Sequence, residues 1–167
     1  MVIVKISATV AKLRVADETW IAMALLQREH PDRADFTVGE IVERARAEHI
    51  TGSLRPGVYV HAYQHCVANR APNSATLRML YATGKTTRRL FREGDEADPK
   101  RKGRITPKPD AIPLKYRHLL EWYRSEYAPP REDAWLSTIR ELAGSGREIF
   151  KGVDADDYVR RLREGWQ

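Results

Sequence analysis

Apolar residues between Phe36 and Ala68 recur at helical spacing in two blocks separated by a break. In the first, Val38, Ile41, Val42 and Ala45 share one face. Thr37 and Glu40 stand at capping-box spacing ahead of it, and Phe36 and Ile41 stand where a hydrophobic staple fixes the entering chain. Thr51 and Gly52 end this block. Pro56 reads as the first residue of a second helix, where its missing N–H costs nothing, and that helix is predicted to run to about Ala68. Tyr59, Ala62, Tyr63 and Cys66 are its expected core face; His61, Gln64, His65 and Ala68 form the opposite stripe. The period then changes. Thr76 to Ala82 alternates, with Leu77, Met79 and Tyr81 on one side and Arg78 on the other. A turn signal, Thr83-Gly84-Lys85-Thr86, leads into a return strand over Thr87 to Arg92 that carries Arg88, Arg89 and Arg92.

The flanks extend this pattern. Asp17 is placed to cap a helix over Glu18 to His30, with Trp20, Ala24 and Leu25 as its buried stripe and Pro31 as its stop. Met1 to Val15 fits either a strand (Val2, Val4, Ile6) or a helix (Val10, Leu13), and a strand there has the sheet of that two-stranded hairpin or a second copy of the chain to pair with. Pro99, Gly103, Pro107 and Pro109 exclude a long element between Glu93 and Ile112. Ile112, Tyr116, Leu119, Leu120, Tyr123 and Tyr127 share one face of a helix predicted over Pro113 to Tyr127. Ala128-Pro129-Pro130 reads as a boundary. Beyond it, Trp135, Ile139 and Leu142 line one short helix, and Tyr158, Leu162 and Trp166 a second, with Gly144-Ser145-Gly146 between them. The expected fold class is therefore α+β and mostly α: a winged helix-turn-helix core over residues 1–128 with a C-terminal helical extension over 129–167.

Charge sharpens the picture. The chain has 167 residues, 42% of them hydrophobic, a net charge of +6 and a pI near 9.6. Residues 70–104 hold ten Lys/Arg against four Asp/Glu, whereas residues 129–167 hold seven against eight. The excess thus belongs to the wing and the segment after it, which points to a polyanionic partner, double-stranded DNA. On that reading His61, Gln64, His65 and Asn69, with Arg55 and Arg70 at the helix ends, face the bases, since Asn and Gln suit adenine and Arg suits guanine. Arg78, Lys85, Arg88, Arg89, Arg92, Lys100, Arg101, Lys102 and Arg104 face phosphate, the last four as a basic arm. A homodimer on a palindrome is the expected arrangement.

Other chemistry is sparse. Cys66 is the single cysteine, so no disulfide forms within the chain, and its place on the core face suits a small buried hydrophobe. His61 and His65 have half a metal-site spacing without a Glu between them, and Gly84-Lys85-Thr86 lacks the upstream spacing of a phosphate loop, so no metal or cofactor is expected. Asp95, Glu96 and Asp98 with Lys100 or Lys102 faintly outline a nuclease core, the enzymatic alternative, but it needs an earlier acid on a neighbouring strand and the prolines here oppose a strand, so a solvated loop is expected. With these catalytic patterns incomplete, no enzymatic activity is expected; no apolar run is long enough to cross a membrane and no signal-peptide order is present, so a cytoplasmic protein is expected.

The run from Leu142 to Trp166 resembles the toxin-binding tail of VapB-type antitoxins, with Gly144-Ser145-Gly146, the aromatic Phe150, Asp154 and Tyr158 four residues apart, and a Leu162-Arg163-x-x-Trp166 ending. The resemblance implies a PIN-domain ribonuclease toxin as partner. Trp135, Ile149, Phe150, Tyr158, Leu162 and Trp166 would be its anchors, and Arg147, Arg160 and Arg161 would approach the toxin's carboxylates. Residues 36–127 are also similar to an uncharacterised bacterial winged-helix family through Leu54-Arg55-Pro56-Gly57, His61, His65-Cys66-Val67-Ala68-Asn69 and Arg88-Arg89-Leu90-Phe91-Arg92-x-Gly94-Asp95. Antitoxins of this type usually carry a smaller DNA-binding front, such as a ribbon–helix–helix. Together these features imply a DNA-binding antitoxin that represses its own promoter; the alternative is a winged-helix protein–protein interaction module or a regulator without a toxin.

Overall fold

Helix α1 (Val15–Glu29) is the centre of the fold, because its residues from Ala16 to Ala24 are buried on every side. A helix apolar on one stripe alone packs at a surface; one buried all round serves as a core. The computed structural model describes residues 13–129 and Arg160. The chain divides into two compact units, Met1–Pro129 and Pro130–Gln167. The alternative strand or helix before Leu13 and the anchors Trp135, Arg147, Ile149, Phe150, Tyr158, Arg161, Leu162 and Trp166 lie outside the described residues. Arg160 is helical and exposed.

Asp17 does not cap α1. The helix begins two residues earlier, and Asp17 lies buried in its first turn with Glu18, where both carboxylates complement the positive end of the helix dipole. Each has a cation from far along the chain: Arg104 Nη2 lies 2.7 Å from Asp17 and Arg55 Nη2 2.5 Å from Glu18.

The first block forms as its local signals require. Thr37 Oγ1 accepts from Glu40 N at 3.2 Å and Glu40 returns a contact to Thr37 N at 2.8 Å, so helix α2 (Val38–Glu48) starts on a complete capping box. Phe36 and Ile41 are both fully buried. The helix ends on His49 in the left-handed region (φ 48°), and Gly52 follows at φ 86°.

Helix α3 opens at Gly57 rather than Pro56 and covers Gly57–Val60, then widens into a π turn over His61–His65 and stops at Cys66, short of Ala68. A Cβ at Gly57 would meet the Val15 side chain at 3.2 Å, so the small residue lets α3 sit against the start of α1. Past Cys66 the chain runs into a sheet. The Cys66 carbonyl accepts from Met79 N and Leu80 N, and Ala68 N donates to Leu80 O at 2.7 Å.

The sheet has three antiparallel strands in the order β1–β3–β2: β1 (Phe36–Thr37), β3 (Thr87–Leu90) and β2 (Leu80–Ala82). β1 carries no strand pattern of its own; it pairs Phe36 with Arg88 and Thr37 with Thr87. The expected strand over Thr76 to Ala82 narrows to β2, because residues 76–78 are held by the later chain: Gly103 N donates to Thr76 O and Arg78 N to Arg104 O. A Cβ at Gly103 would lie 2.7 Å from Thr76 O, too close for any other residue without movement.

The last expected helix is broken into a 3₁₀ turn (Leu114–Tyr116), α4 (His118–Trp122) and a π turn (Tyr123–Tyr127). Its apolar face packs as anticipated: Ile112, Tyr116, Leu119, Leu120 and Tyr123 join the core, and Tyr123 meets Trp20 edge-on at 5.8 Å. Tyr123 OH donates to Phe91 O and Tyr127 OH to Leu90 O, tying this segment to the end of β3. The fold is thus α+β and mostly helical, and no described helix is long and apolar enough to cross a membrane.

Candidate nucleic-acid interface

The exposed face of α3 is not the predicted one. Val58, Ala62 and Cys66, four residues apart, form the buried row. Tyr59 and Tyr63 point outward, 54% and 37% exposed, and stack nearly parallel with centroids 5.9 Å apart and an interplanar angle of 5°. The stripe expected to read bases turns inward instead: Ala68 is buried and His61, Gln64 and His65 are half-buried. Tyrosine misled the pattern because its ring suits a core and its hydroxyl suits water. The row Val58–Ala62–Cys66 was an equally good helical match and is the one the core selects.

His61 lies against a cavity of about 370 Å³ that Leu13, Val15, Arg55, Leu77 and Arg104 also line. Its Nδ1 is 3.3 Å from Cys66 Sγ, and the His65 ring meets it edge-on at 5.1 Å. Burial, with the nearby His65 and Arg55, holds the His61 imidazole down to about 4, so it is neutral at pH 7. Burial pushes the Cys66 thiol up to about 12, which leaves it protonated and unreactive.

Several basic residues expected to meet phosphate serve the fold. A helix leaves its last carbonyls without partners, and cations are favoured at that end. Three arginines fill this role for α3. Arg88, fully buried, donates from Nε to Ala62 O at 3.1 Å and from Nη2 to Tyr63 O at 3.1 Å. Arg101, 2% exposed, donates to Gln64 O at 2.8 Å, His65 O at 2.9 Å, Arg70 O at 2.6 Å and Leu77 O at 2.9 Å. Arg70 donates to Tyr63 O at 3.0 Å and to Lys85 O at 2.9 Å, which joins the end of α3 to the hairpin turn. Burial lowers Arg88 to about 10 and also lowers Arg101; Arg88 stays charged at neutral pH. Arg88 and Arg101 are therefore unavailable to a partner. The alternation of β3 carried a signal for the first of these: Arg88 lies two residues from the core residue Leu90, on the same side of the strand.

Others are committed in part. Asn69 pairs its whole side-chain amide with Ala82, accepting from Ala82 N and donating to Ala82 O, both at 2.9 Å. Gln64 donates to Ala71 O at 2.7 Å. Arg89 grips Asp95 with two bonds of 2.6 and 2.8 Å, and Arg78 donates to Gly103 O at 3.1 Å. Arg55 and Arg104 hold the buried carboxylates of α1. The exposed cations that remain are Lys85 in the hairpin turn, Arg92 over the Tyr127 ring at 4.4 Å, and Lys100 and Lys102 on either side of Arg101. The segment 98–104 is not a free arm. Asp98 N, Gly103 N and the Arg101 side chain pin it to the end of α3 and the start of the hairpin.

Arg70, Arg88 and Arg101 have no ion pair among the described residues, so their charge adds to that of Lys85, Lys100 and Lys102 on this side of the fold. Asp98, beside Arg101, and Asp35, which accepts from Thr83 at 2.6 Å, temper that charge locally. The result is two stacked phenol rings on a helix, flanked by cations and a turn. Among the described residues no group of three or more His, Cys, Asp or Glu is placed to hold a metal ion. No protein-family model, curated protein or solved structure matches the chain.

Proposed function

We propose that residues 1–128 form a winged helix-turn-helix unit that binds double-stranded DNA, and that the whole chain is a cytoplasmic, autorepressing antitoxin. Its residues 129–167 would neutralise a PIN-domain ribonuclease toxin. One observation carries the DNA reading: the order α1–β1–α2–α3–β2–β3 with strands arranged β1–β3–β2. On this reading α3 is the second helix of a helix-turn-helix pair, and the Arg70 bond to Lys85 O, which joins the end of α3 to the hairpin turn, supports it. In such units the second helix enters the major groove. The phosphate contacts would fall to Lys85, Arg92, Lys100 and Lys102, which are exposed. The antitoxin part rests on the resemblance of the tail.

The test is fluorescence anisotropy of the chain on duplex DNA from upstream of its own gene, against a scrambled duplex, over a range of salt. Selective binding with a steep salt slope is expected. Replacing Lys85, Lys100 and Lys102 together by Ala should weaken all duplexes and flatten the log–log slope by about 3, near 0.9 per lost phosphate contact. Trp166→Ala should weaken toxin binding and leave DNA binding unchanged.

A second reading is a winged-helix module for protein contact. The exposed Tyr59, Val60 and Tyr63 favour it, since aromatic side chains are common anchors of protein interfaces. Absence of DNA binding at low salt would select it.

A further inference from the structure

We propose that the stacked Tyr59–Tyr63 pair on α3 receives an unpaired nucleobase, so that the protein prefers DNA with an unstacked base over perfect duplex. The inference rests on the DNA-binding reading and adds a substrate form to it.

The two side-chain amides that could read base edges here are held by the fold, Asn69 fully and Gln64 in part. Both ends of the Asn69 amide are bonded to Ala82, and Gln64 donates to Ala71 O. What the surface leaves open is aromatic. The Tyr63 ring has the Arg70 guanidinium carbon 4.8 Å from its centroid and that of Arg88 at 5.7 Å. Tyr59 stacks on Tyr63 and meets no other ring or cation among the described residues. It is also the more exposed of the two. The pair is thus a short stack of rings with cations at the Tyr63 end and an open ring at the Tyr59 end.

A base added to Tyr59 continues that stack, and every base has a flat face to offer, so such binding tolerates sequence. A nucleotide also brings a phosphate. Lys85 is exposed, and its carbonyl holds Arg70, so a backbone leaving the stack would meet positive charge. A purely apolar protein segment would gain nothing from those cations. In a perfect duplex the base faces are covered by their neighbours, so the stack pays off only where a base is bulged, flipped or single-stranded.

The experiment measures the affinity of the full chain for three probes of one sequence: a perfect duplex of about twelve base pairs, the same duplex with one bulged base, and the single strand. The bulged duplex should bind more tightly than the perfect one. Tyr59→Ala should abolish that gain and weaken single-strand binding about 5- to 150-fold, with the perfect duplex little changed. Tyr59→Phe should keep the wild-type pattern, and Tyr59→Leu, apolar without a ring, should fail like Ala. The loss should persist at high salt, unlike that from Lys85→Ala. Tyr59 is exposed, so these variants should fold, and circular dichroism checks this.

Equal affinity of wild type for bulged and perfect duplex would overturn the inference while leaving duplex binding intact. So would full binding by Tyr59→Leu, or a change of oligomeric state in Tyr59→Ala, which would assign the rings to a protein contact. Failure of all three probes to bind would remove the DNA reading and this inference together.

Discussion

Replacing Arg101 by Met should strongly destabilise the domain, although the residue sits in a run, Lys100-Arg101-Lys102, that looks like a surface phosphate arm. Met keeps the length and apolar stem of the side chain and removes its donors. Four carbonyls, those of Gln64, His65, Arg70 and Leu77, lie 2.6 to 2.9 Å from the guanidinium. A hydrogen bond from a charged donor contributes about 1.5–3 kcal/mol. The four do not add in full, because burying the guanidinium costs several kcal/mol of hydration. Water entering the vacated space would also satisfy some of the carbonyls. A net loss of about 3–5 kcal/mol remains, against a typical total of about 5–15 kcal/mol for a whole domain. Urea unfolding followed by far-UV circular dichroism reads this directly. Lys100→Met and Lys102→Met are the internal controls and should stay within about 0.5 kcal/mol of wild type, as exposed positions do. Arg101→Lys should also lose most of the stability, since one ammonium cannot reproduce a planar fork aimed at several carbonyls. If Arg101→Met lost less than about 1 kcal/mol and instead weakened DNA binding as Lys100→Met does, the helix-capping account of Arg101 would be refuted.

Three further outcomes follow from the geometry. Asn69→Ala, which leaves Ala82 N and O without their partners, should cost about 1–3 kcal/mol in urea unfolding; a neutral result would mean the amide pairing carries no stability. Thr37→Ala should cost about 1 kcal/mol through loss of the capping box. It should also shrink the stability lost on acidification between about 4.5 and 2, where Glu40 titrates: the bonds from Arg33 and then from Thr37 hold Glu40 down to about 2, so its contribution is present above the ordinary carboxyl range and fades as pH falls through it. His61 acts in a higher window. Its folded value near 4 lies below the usual 6.5, so the unfolded chain binds the extra proton between the two, and stability should fall as pH drops from about 6.5 to 4, by about 1–2 kcal/mol given the ring's partial exposure. His61→Gln should remove that slope, and the same slope in wild type and variant would exclude His61 as its source.

Legibility followed the range of the interaction. The start of α2 was readable to the residue because Thr37, Glu40, Phe36 and Ile41 are neighbours in sequence and their bonds close within one turn. The hairpin was readable for the same reason, through its alternation and its glycine turn. β1 was not, since Phe36 and Thr37 become a strand only by pairing with residues about fifty positions later. Composition located the positive charge but not its direction. Arg88, Arg89 and Arg92 look alike in a list of basic residues, yet one is plugged into α3, one is locked to Asp95 and one is exposed. Their roles were set by the carbonyls and carboxylates that other segments bring to them. On α3, the choice between two apolar rows was settled by what packs against it, Val15 at Gly57 and Leu80 beyond Cys66.

The π turn at His61–His65 makes this stretch unequally tolerant of the two common kinds of mutation. Cys66 N donates to His61 O across five residues rather than four, so the turn holds one residue more than an α-helix needs. Side-chain exchanges at Tyr59 or Val60 leave that count alone. Deleting one residue between 61 and 65 would restore the tighter turn and swing everything after it by roughly 100°, the rotation per residue of an α-helix. Cys66 and Ala68 would then lose their bonds to Leu80, and Asn69 would leave Ala82. Related chains should therefore keep the length of α3 fixed, with insertions and deletions confined to the loops on either side.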